Sequence, residues 1–188
     1  MGARAYTLIA EVDFQPGEVA VEIGSERGEG STAYLRQHCA EREVEFFSVD
    51  IDPQVEGVIQ SDGATWLHGF DRFALLVKFA YLDNFDYVFP SIVGQPWVQD
   101  QIEGYLKFQI EMTNENSEQA HLDQAIEVNR LSVPGTMVVI DDTWVEHGVW
   151  YGKGATAVPY LQSAGFRVLD GFDGLPPESS CVALQRRT

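Results

Sequence analysis

The chain has 188 residues and a formal net charge of -17, from 29 acidic against 12 basic residues. Hydrophobic residues make up 45% of the sequence, which excludes a disordered chain and favours a single domain over residues 1–188. Because so negative a field repels phosphate backbones and anionic membrane surfaces, we expect neither nucleic acid nor a membrane as a partner.

Apolar, β-rich segments alternate along the chain with segments of helical potential. This order predicts a mainly parallel sheet covered by helices on both faces, which is a three-layer α/β sandwich. The last two strand segments are joined by a turn-rich stretch, so we expect an antiparallel C-terminal hairpin in a seven-stranded sheet. The predicted strands, in chain order, are EVAVEIG, VEFFSVDI, EGVIQSD, FDYVFPSI, TMVVIDDT, GFRVLDGF and SCVALQRR.

The longest span between predicted strands runs from residue 92 to residue 134. It is too long for a simple crossover, and it predicts helices over 96–113 and 117–131, the second capped by Ser117. We interpret 92–120 as an insertion that contacts the substrate or covers it as a lid.

The stretch VEIGSERGEGSTAYL passes from a strand through a cluster of glycines into a helix. This construction binds ligands at the carboxyl edge of a parallel sheet. A nicotinamide fingerprint would be G-x-G-x-x-G, but Glu26 stands where the second glycine belongs. The spacing therefore argues against a dinucleotide ligand without excluding one.

EIGSERGEGST resembles the first motif of class I S-adenosylmethionine-dependent methyltransferases. The resemblance implies a Rossmann-like fold and S-adenosylmethionine as the cofactor. It places Glu22, Gly24, Ser25 and Gly28 around the methionine half of that cofactor. There, backbone N–H groups meet the carboxylate and Glu22 supplies negative potential for the cationic part.

Three further segments follow in the order of that family. FFSVDIDP resembles the second motif, which implies that Asp50 accepts hydrogen bonds from the ribose hydroxyls. QSDGATWL resembles the third motif, which implies that Asp62 lies near the adenine amino group and that Gly63 lets the ring approach the backbone. FDYVFPSI resembles the fourth strand, which borders the site of methyl transfer.

An acidic pair, Asp141 and Asp142, ends the predicted fifth strand. With the later YGKGATAVPYL, it resembles small bacterial methyltransferases of the catechol O-methyltransferase-like and cephalosporin-hydroxylase-like branches. Catechol-type relatives bind Mg²⁺ through an acid after strand four and an acid plus an amide after strand five, which are hard oxygen ligands. Here Ser91 takes the strand-four position and Asp142 the amide position, so the sequence leaves open whether Mg²⁺ is a cofactor. The structural alternative is that one acid of the pair caps the following segment and the other is solvated.

We consider Asp141, Asp142 and His147 as catalytic residues, with the two acids also as metal ligands. His147 follows the acidic pair closely and is a candidate base or ligand, although a lone histidine is more often structural. His121 is a further candidate for the same cleft. Lys153 is read equally as an anion-binding residue or as an exposed turn lysine.

The sequence thus predicts an S-adenosylmethionine-dependent methyltransferase acting on a small molecule, at oxygen. One alternative keeps the fold but changes the reaction, either to aminopropyl transfer or to that of a hydroxylase-like branch member that uses the same pocket. Aminopropyl transfer lacks its usual acid after strand four, because Ser91 stands there. Another is a nucleoside-binding or interaction domain without catalytic activity, in which Glu26 crowds the cofactor. A nicotinamide reductase is the third. We also expect a cytoplasmic protein with reduced cysteines, and a homodimer is compatible with the sequence.

Overall fold

The computed structural model describes residues 5–25, 30–51, 57–60, 76–84, 87–88, 92–173 and 181–187. The first described element is a 3-10 helix over Ala5–Glu11. The strands are β1 Glu18–Ile23, β2 Glu45–Asp50, β3 Ile59–Gln60, β4 Leu76–Leu82, β5 Ser132–Asp141, β6 Thr143–Glu146, β7 Val149–Gly152, β8 Phe166–Asp173 and β9 Cys181–Arg186. The α-helices are α1 Ser31–Ala40, α2 Pro96–Leu106, α3 Asn114–Leu131 and α4 Ala157–Ser163.

The main sheet has seven strands in the order β3-β2-β1-β4-β5-β9-β8. Strands β1 to β5 pair in parallel, whereas β9 runs antiparallel to both β5 and β8. The predicted α/β fold with its antiparallel C-terminal hairpin is therefore confirmed. The strand order reverses between β1 and β4, and ligands of such sheets bind in the crevice beside that reversal.

Two apolar clusters cover the two faces of the sheet. On one face the 3-10 helix and α1 contribute Leu8, Ile9 and Leu35 to the core. On the other face α3 and α4 pack through buried residues that include Val128 and Leu161. The sheet is thus the middle of three layers, and its functional groups have to lie at the strand ends.

The fourth strand is not where the sequence predicted it. It is β4, over Leu76–Leu82, whereas the described residues Tyr87 and Val88 of the predicted segment are in no strand. Lys78 interrupts the apolar run, but β4 accommodates it near its start, where Lys78 Nζ donates to Pro134 O at 2.9 Å. The acid that follows the fourth strand is consequently Asp83, and Ser91 lies outside the described residues.

The helices and a small second sheet also differ in detail from the prediction. Helix α2 ends at Leu106, and the cap of α3 is Thr113, whose Oγ1 accepts from Asn116 N at 3.1 Å; Ser117 is instead buried inside that helix. Strands β6 and β7 form an unpredicted hairpin. Within the described ranges, no helix is both long and apolar enough to span a bilayer.

Candidate functional site

The turn after β1 is held closely between its two neighbouring strands. Gly24 N donates to Val49 O at 2.8 Å, and Asp83 N donates to Ile23 O at 2.9 Å. Gly24 has a φ of 97°, and a Cβ there would lie 2.5 Å from Asn84 N and 2.6 Å from the carbonyl carbon of Asp83. Only glycine fits this position, because both the backbone angle and the closeness of the chain after β4 exclude a side chain.

Asp50 is bound to the same turn from the end of β2. Its Oδ2 accepts from Ser25 N at 2.7 Å and from Ser25 Oγ at 3.1 Å. Ser25 is connected in turn to α1, because Thr32 Oγ1 donates to Ser25 O at 3.2 Å. The acid at the end of β2 therefore fixes the path of the chain that leaves β1.

Glu22 is fully buried near the end of β1, two residues before Gly24. Its carboxylate accepts from Ser31 Oγ at 2.7 Å and from Ser48 Oγ at 2.9 Å. Burial raises the pKa of Glu22 to about 7, although the hydroxyl donors oppose that shift. Glu22 therefore connects β1 to both β2 and α1, and its negative charge is established only as the pH rises through neutrality.

The structure thus brings four of the predicted cofactor-binding residues together, at the carboxyl ends of β1 and β2: Glu22, Gly24, Ser25 and Asp50. The other three predicted residues, Gly28, Asp62 and Gly63, lie outside the described residues, as does Glu26. Their proposed contacts stay predictions.

A second group of charged residues lies at the carboxyl ends of β4 and β5. Lys153 is buried, with 2% of its side chain exposed, which removes its reading as an exposed turn lysine. Its Nζ lies 2.7 Å from Asp83 Oδ1 and 3.1 Å from Asp142 Oδ2. This group joins the chain after β4, the chain after β5 and the segment before α4.

Tyr81 connects Asp83 to Asp141. Its hydroxyl lies 2.9 Å from Asp141 Oδ2 and 3.1 Å from Asp83 Oδ2. Burial and the two neighbouring carboxylates raise the pKa of Tyr81 well above its ordinary value, so the hydroxyl keeps its proton and donates. Burial and the charge of Asp83 likewise raise the pKa of Asp141, and the Lys153 ammonium group opposes this rise.

The predicted metal ligands Asp141 and Asp142 are directed to different partners. Asp141 uses its two oxygens on Tyr81 and on Asp142 N, whereas Asp142 is paired with Lys153. Among the residues that the structure describes, no group of three or more His, Cys, Asp or Glu is placed to hold a metal ion. An ammonium group already lies between two of the carboxylates, so this arrangement does not fit a divalent cation.

Beside these acids, three buried polar residues carry atoms without a partner. Gln124 Nε2 donates to Asn84 Oδ1 at 2.7 Å, and His121 Nδ1 lies 2.7 Å from Ser117 O. Burial lowers the pKa of His121 to about 3, and Lys153 adds to the effect, so the ring is neutral with its proton on Nδ1. Asn84 Nδ2, Gln124 Oε1 and His121 Nε2 have no hydrogen-bond partner in the described parts of the chain.

His147 is exposed at the tip of the β6–β7 hairpin. Its φ is 50° and that of Gly148 is 80°, the combination of a two-residue type I′ turn. Its position therefore has a structural reason. The catalytic role predicted for His147 gains no support from this geometry and stays a prediction.

Sequence reasoning missed most of the second group. Asp83 and Asn84 went unnoticed because strand four was placed after them instead of before them. The signal was the apolar run LLVKFAYL directly ahead of DN, a strand followed by an acid and an amide. Gln124 offered no signal, because only the packing of α3 against β4 brings it to Asn84.

The strand order and the glycine turn beside an acid at the end of β2 form a Rossmann-like fold, and solved methyltransferase structures have similar folds. A methyltransferase homolog protein from Pyrococcus horikoshii is 13% identical, with a TM-score of 0.56, over 99% of this chain and 67% of that one. TrmN from Thermus thermophilus is 15% identical, with a TM-score of 0.52, over 98% of this chain and 48% of that one, so this chain spans about half its length. No protein-family model and no curated protein matches the sequence.

A third structure corrects one of the predictions. A ribosomal RNA methyltransferase from Plasmodium falciparum is 12% identical, with a TM-score of 0.52, over 100% of this chain and 98% of that one. At such identities the likeness shows the fold alone. The prediction that nucleic acid is not a partner is nevertheless wrong as drawn from net charge, because this fold serves an RNA-modifying protein over nearly the whole length of both chains.

Proposed function

We propose that this chain is an S-adenosylmethionine-dependent methyltransferase. The observation that carries the proposal is the binding of Ser25 to Asp50 directly after Gly24, where the order of strands reverses. Gly24 keeps the backbone free of a side chain, and Asp50 supplies a carboxylate at the strand end where the family resemblance puts the ribose. The residues present therefore fit a nucleoside with a charged tail, and the bound cofactor would supply an activated methyl group.

The protein's part in such a transfer is to position an acceptor and, where the acceptor carries a proton, to remove it. Asp141 is the best supported base among the predicted catalytic residues. Burial and neighbouring charge raise the pKa of its carboxyl, which makes proton uptake near neutral pH favourable. Asn84, next to Gly24, supplies a polar side chain at the same edge.

For the acceptor we propose a small hydroxylated molecule, methylated at oxygen and covered by the insertion 92–120; the support is the resemblance of the segments around Asp141 and YGKGATAVPYL to small bacterial methyltransferases. RNA is the second candidate, favoured by the full-length likeness to the ribosomal RNA methyltransferase. Aminopropyl transfer does have an acid after the fourth strand, since Asp83 follows β4. That acid is paired with Lys153, however, which leaves it a poor receptor for a polyamine.

Calorimetric titration with S-adenosylmethionine, S-adenosylhomocysteine and NAD tests the cofactor. We expect both sulfur nucleosides to bind and NAD not to bind. Asp50→Ala should weaken that binding by about 1.5 to 3 kcal/mol, the range for a hydrogen bond to a charged group. Asp123→Ala, which removes an exposed acid bonded to Gln119 on α3, is the matched control and should leave affinity unchanged.

The absence of binding by either sulfur nucleoside would overturn the proposal and favour an interaction domain without catalytic activity. Unchanged affinity in Asp50→Ala would remove that residue from the site. If the cofactor binds, transfer of a labelled methyl group to small phenols, and separately to total RNA, decides between the two acceptors.

A further inference from the structure

Lys153 is built into the fold and does not approach the acids from the surface. Lys153 N donates to Asp142 O at 3.0 Å, and Gly154 N donates to Thr143 Oγ1 at 2.9 Å, so the backbone on both sides of the β6–β7 hairpin is joined at its base. A Cβ on Gly152 would overlap Asp142 O, which leaves this close crossing open to glycine alone. The main chain therefore fixes the backbone position from which the Lys153 side chain extends.

The ammonium group compensates acids from two neighbouring strands. Lys153 Nζ lies 2.7 Å from Asp83 Oδ1 and 3.1 Å from Asp142 Oδ2, and about a third of each acid, 30% and 31%, stays exposed. A buried ammonium group is unfavourable unless carboxylates surround it. Lys153 and these two acids are therefore one electrostatic unit, and Tyr81 extends it to Asp141.

Without the lysine, the same place would present the carboxylates of Asp83 and Asp142 after adjacent parallel strands, with Asp141 joined to Asp83 through Tyr81. Carboxylate oxygens are hard ligands of the kind that divalent cations prefer in proteins. We propose that Lys153 is the resident cation of the cluster formed by Asp83 and Asp142 and that its fixed ammonium group keeps divalent cations out. The chain would then orient these acids with a covalently attached single charge, and their arrangement would not depend on metal supply.

Mn²⁺ binding to the full chain tests this directly, by the loss of the free-ion signal in electron paramagnetic resonance. The wild-type protein should not bind Mn²⁺ at this cluster at submillimolar concentrations. Lys153→Ala should bind one ion per chain at least roughly tenfold more tightly, because a positive charge a few ångströms away has been removed. Mg²⁺ should displace that Mn²⁺.

Two further variants make the result specific. Lys153→Ala combined with Asp142→Asn should lose the gained affinity, because the vacated place keeps fewer charged ligands. Lys78→Ala removes another paired lysine, which bonds Pro134 O and Glu18 at the opposite end of β4, and should gain nothing. If Lys153→Ala does not fold alone, Mn²⁺ should restore its folding, and it should not do so for the double variant.

The proposal is overturned if the wild-type protein binds Mn²⁺ at this cluster as tightly as Lys153→Ala does. It is equally overturned if Lys153→Ala neither gains Mn²⁺ affinity nor recovers its fold with the ion. The measurement uses no cofactor and reads no methyl transfer. It can therefore fail while the proposed function stands, and the reverse also holds.

Discussion

Two groups of acids lie at the carboxyl edge of the same sheet, and they differ in what stabilises them. At the ends of β1 and β2, Glu22 and Asp50 accept hydrogen bonds from hydroxyl groups and a backbone N–H. At the ends of β4 and β5, the acids are held by a buried ammonium group and a tyrosine. Uncharged donors let an acid change its protonation state at modest cost, whereas an ion pair fixes the charge of both partners.

The comparison separates a region shaped by the backbone from one shaped by charge. The first group depends on one glycine between two strands, and its donors are local to the strands and to α1. The second group depends on a lysine 70 residues away from the acid that it bonds. We therefore expect the first group to respond most strongly to added volume, and the second to the loss of a charge.

Gly24→Ala should have the largest effect on stability. The new Cβ would meet backbone atoms at 2.5 and 2.6 Å, at a φ of 97°. Overpacking of about 1 to 3 kcal/mol and left-handed strain of about 1 to 2 kcal/mol add to a loss of roughly 2 to 5 kcal/mol. Chemical denaturation of Gly24→Ala and the wild-type protein measures this loss of unfolding free energy.

Gly17→Ala is the control for Gly24→Ala, because Gly17 has a similar φ of 86° with nothing within 4 Å of its Cβ position. Its free energy of unfolding should fall only by the cost of backbone strain, about 1 to 2 kcal/mol. Equal losses in both variants would show that the close approach of β4 adds nothing.

Lys153→Met should destabilise the protein by about 3 kcal/mol. Removing one partner of a buried ion pair costs roughly 3 to 5 kcal/mol, and the lower end applies because Asp83 and Asp142 keep part of their contact with water. Lys78→Met should cost about 1 kcal/mol, since Lys78 loses one hydrogen bond to Pro134 O and a long ion pair. Similar losses in the two variants would contradict the central role of Lys153.

Glu22→Gln should change how stability depends on pH. In the folded protein the pKa of Glu22 is raised from 4.5 to about 7, chiefly by burial, so the folded state holds a proton that the unfolded state has released. That contribution is fully present below pH 4.5 and is lost as the pH rises through 7. Between pH 4.5 and pH 7, the stability of Glu22→Gln should therefore rise relative to that of the wild-type protein by on the order of 3 kcal/mol.

Parallel denaturation curves from pH 4 to pH 8 measure that difference. The raised pKa of Asp141 gives both proteins a slope of the same sign, so subtracting the curves isolates Glu22. A constant difference across the range would show that Glu22 ionises in the folded protein as it does in water.

How much the sequence predicts follows the same division. Glu22, Gly24, Ser25 and Asp50 were predictable because the whole arrangement lies within two strand ends, each announced by its own motif. Strand β4 was missed because Lys78 broke its apolar pattern, and that error concealed Asp83. The ion pair with Lys153 was beyond prediction, since it needs the β6–β7 hairpin to bring Gly152 across Asp142.

His147→Asn should have the smallest effect, and it decides what the hairpin tip does. Asn favours the left-handed conformation that His147 adopts before Gly148, so the variant should be more stable by a few tenths of a kcal/mol or unchanged. Thermal unfolding measures this, and the same sample tests catalysis once an acceptor is known. A large loss of methyl transfer in a protein of unchanged stability would make His147 part of the catalytic machinery. Retained transfer would show that His147 serves only the conformation of the turn.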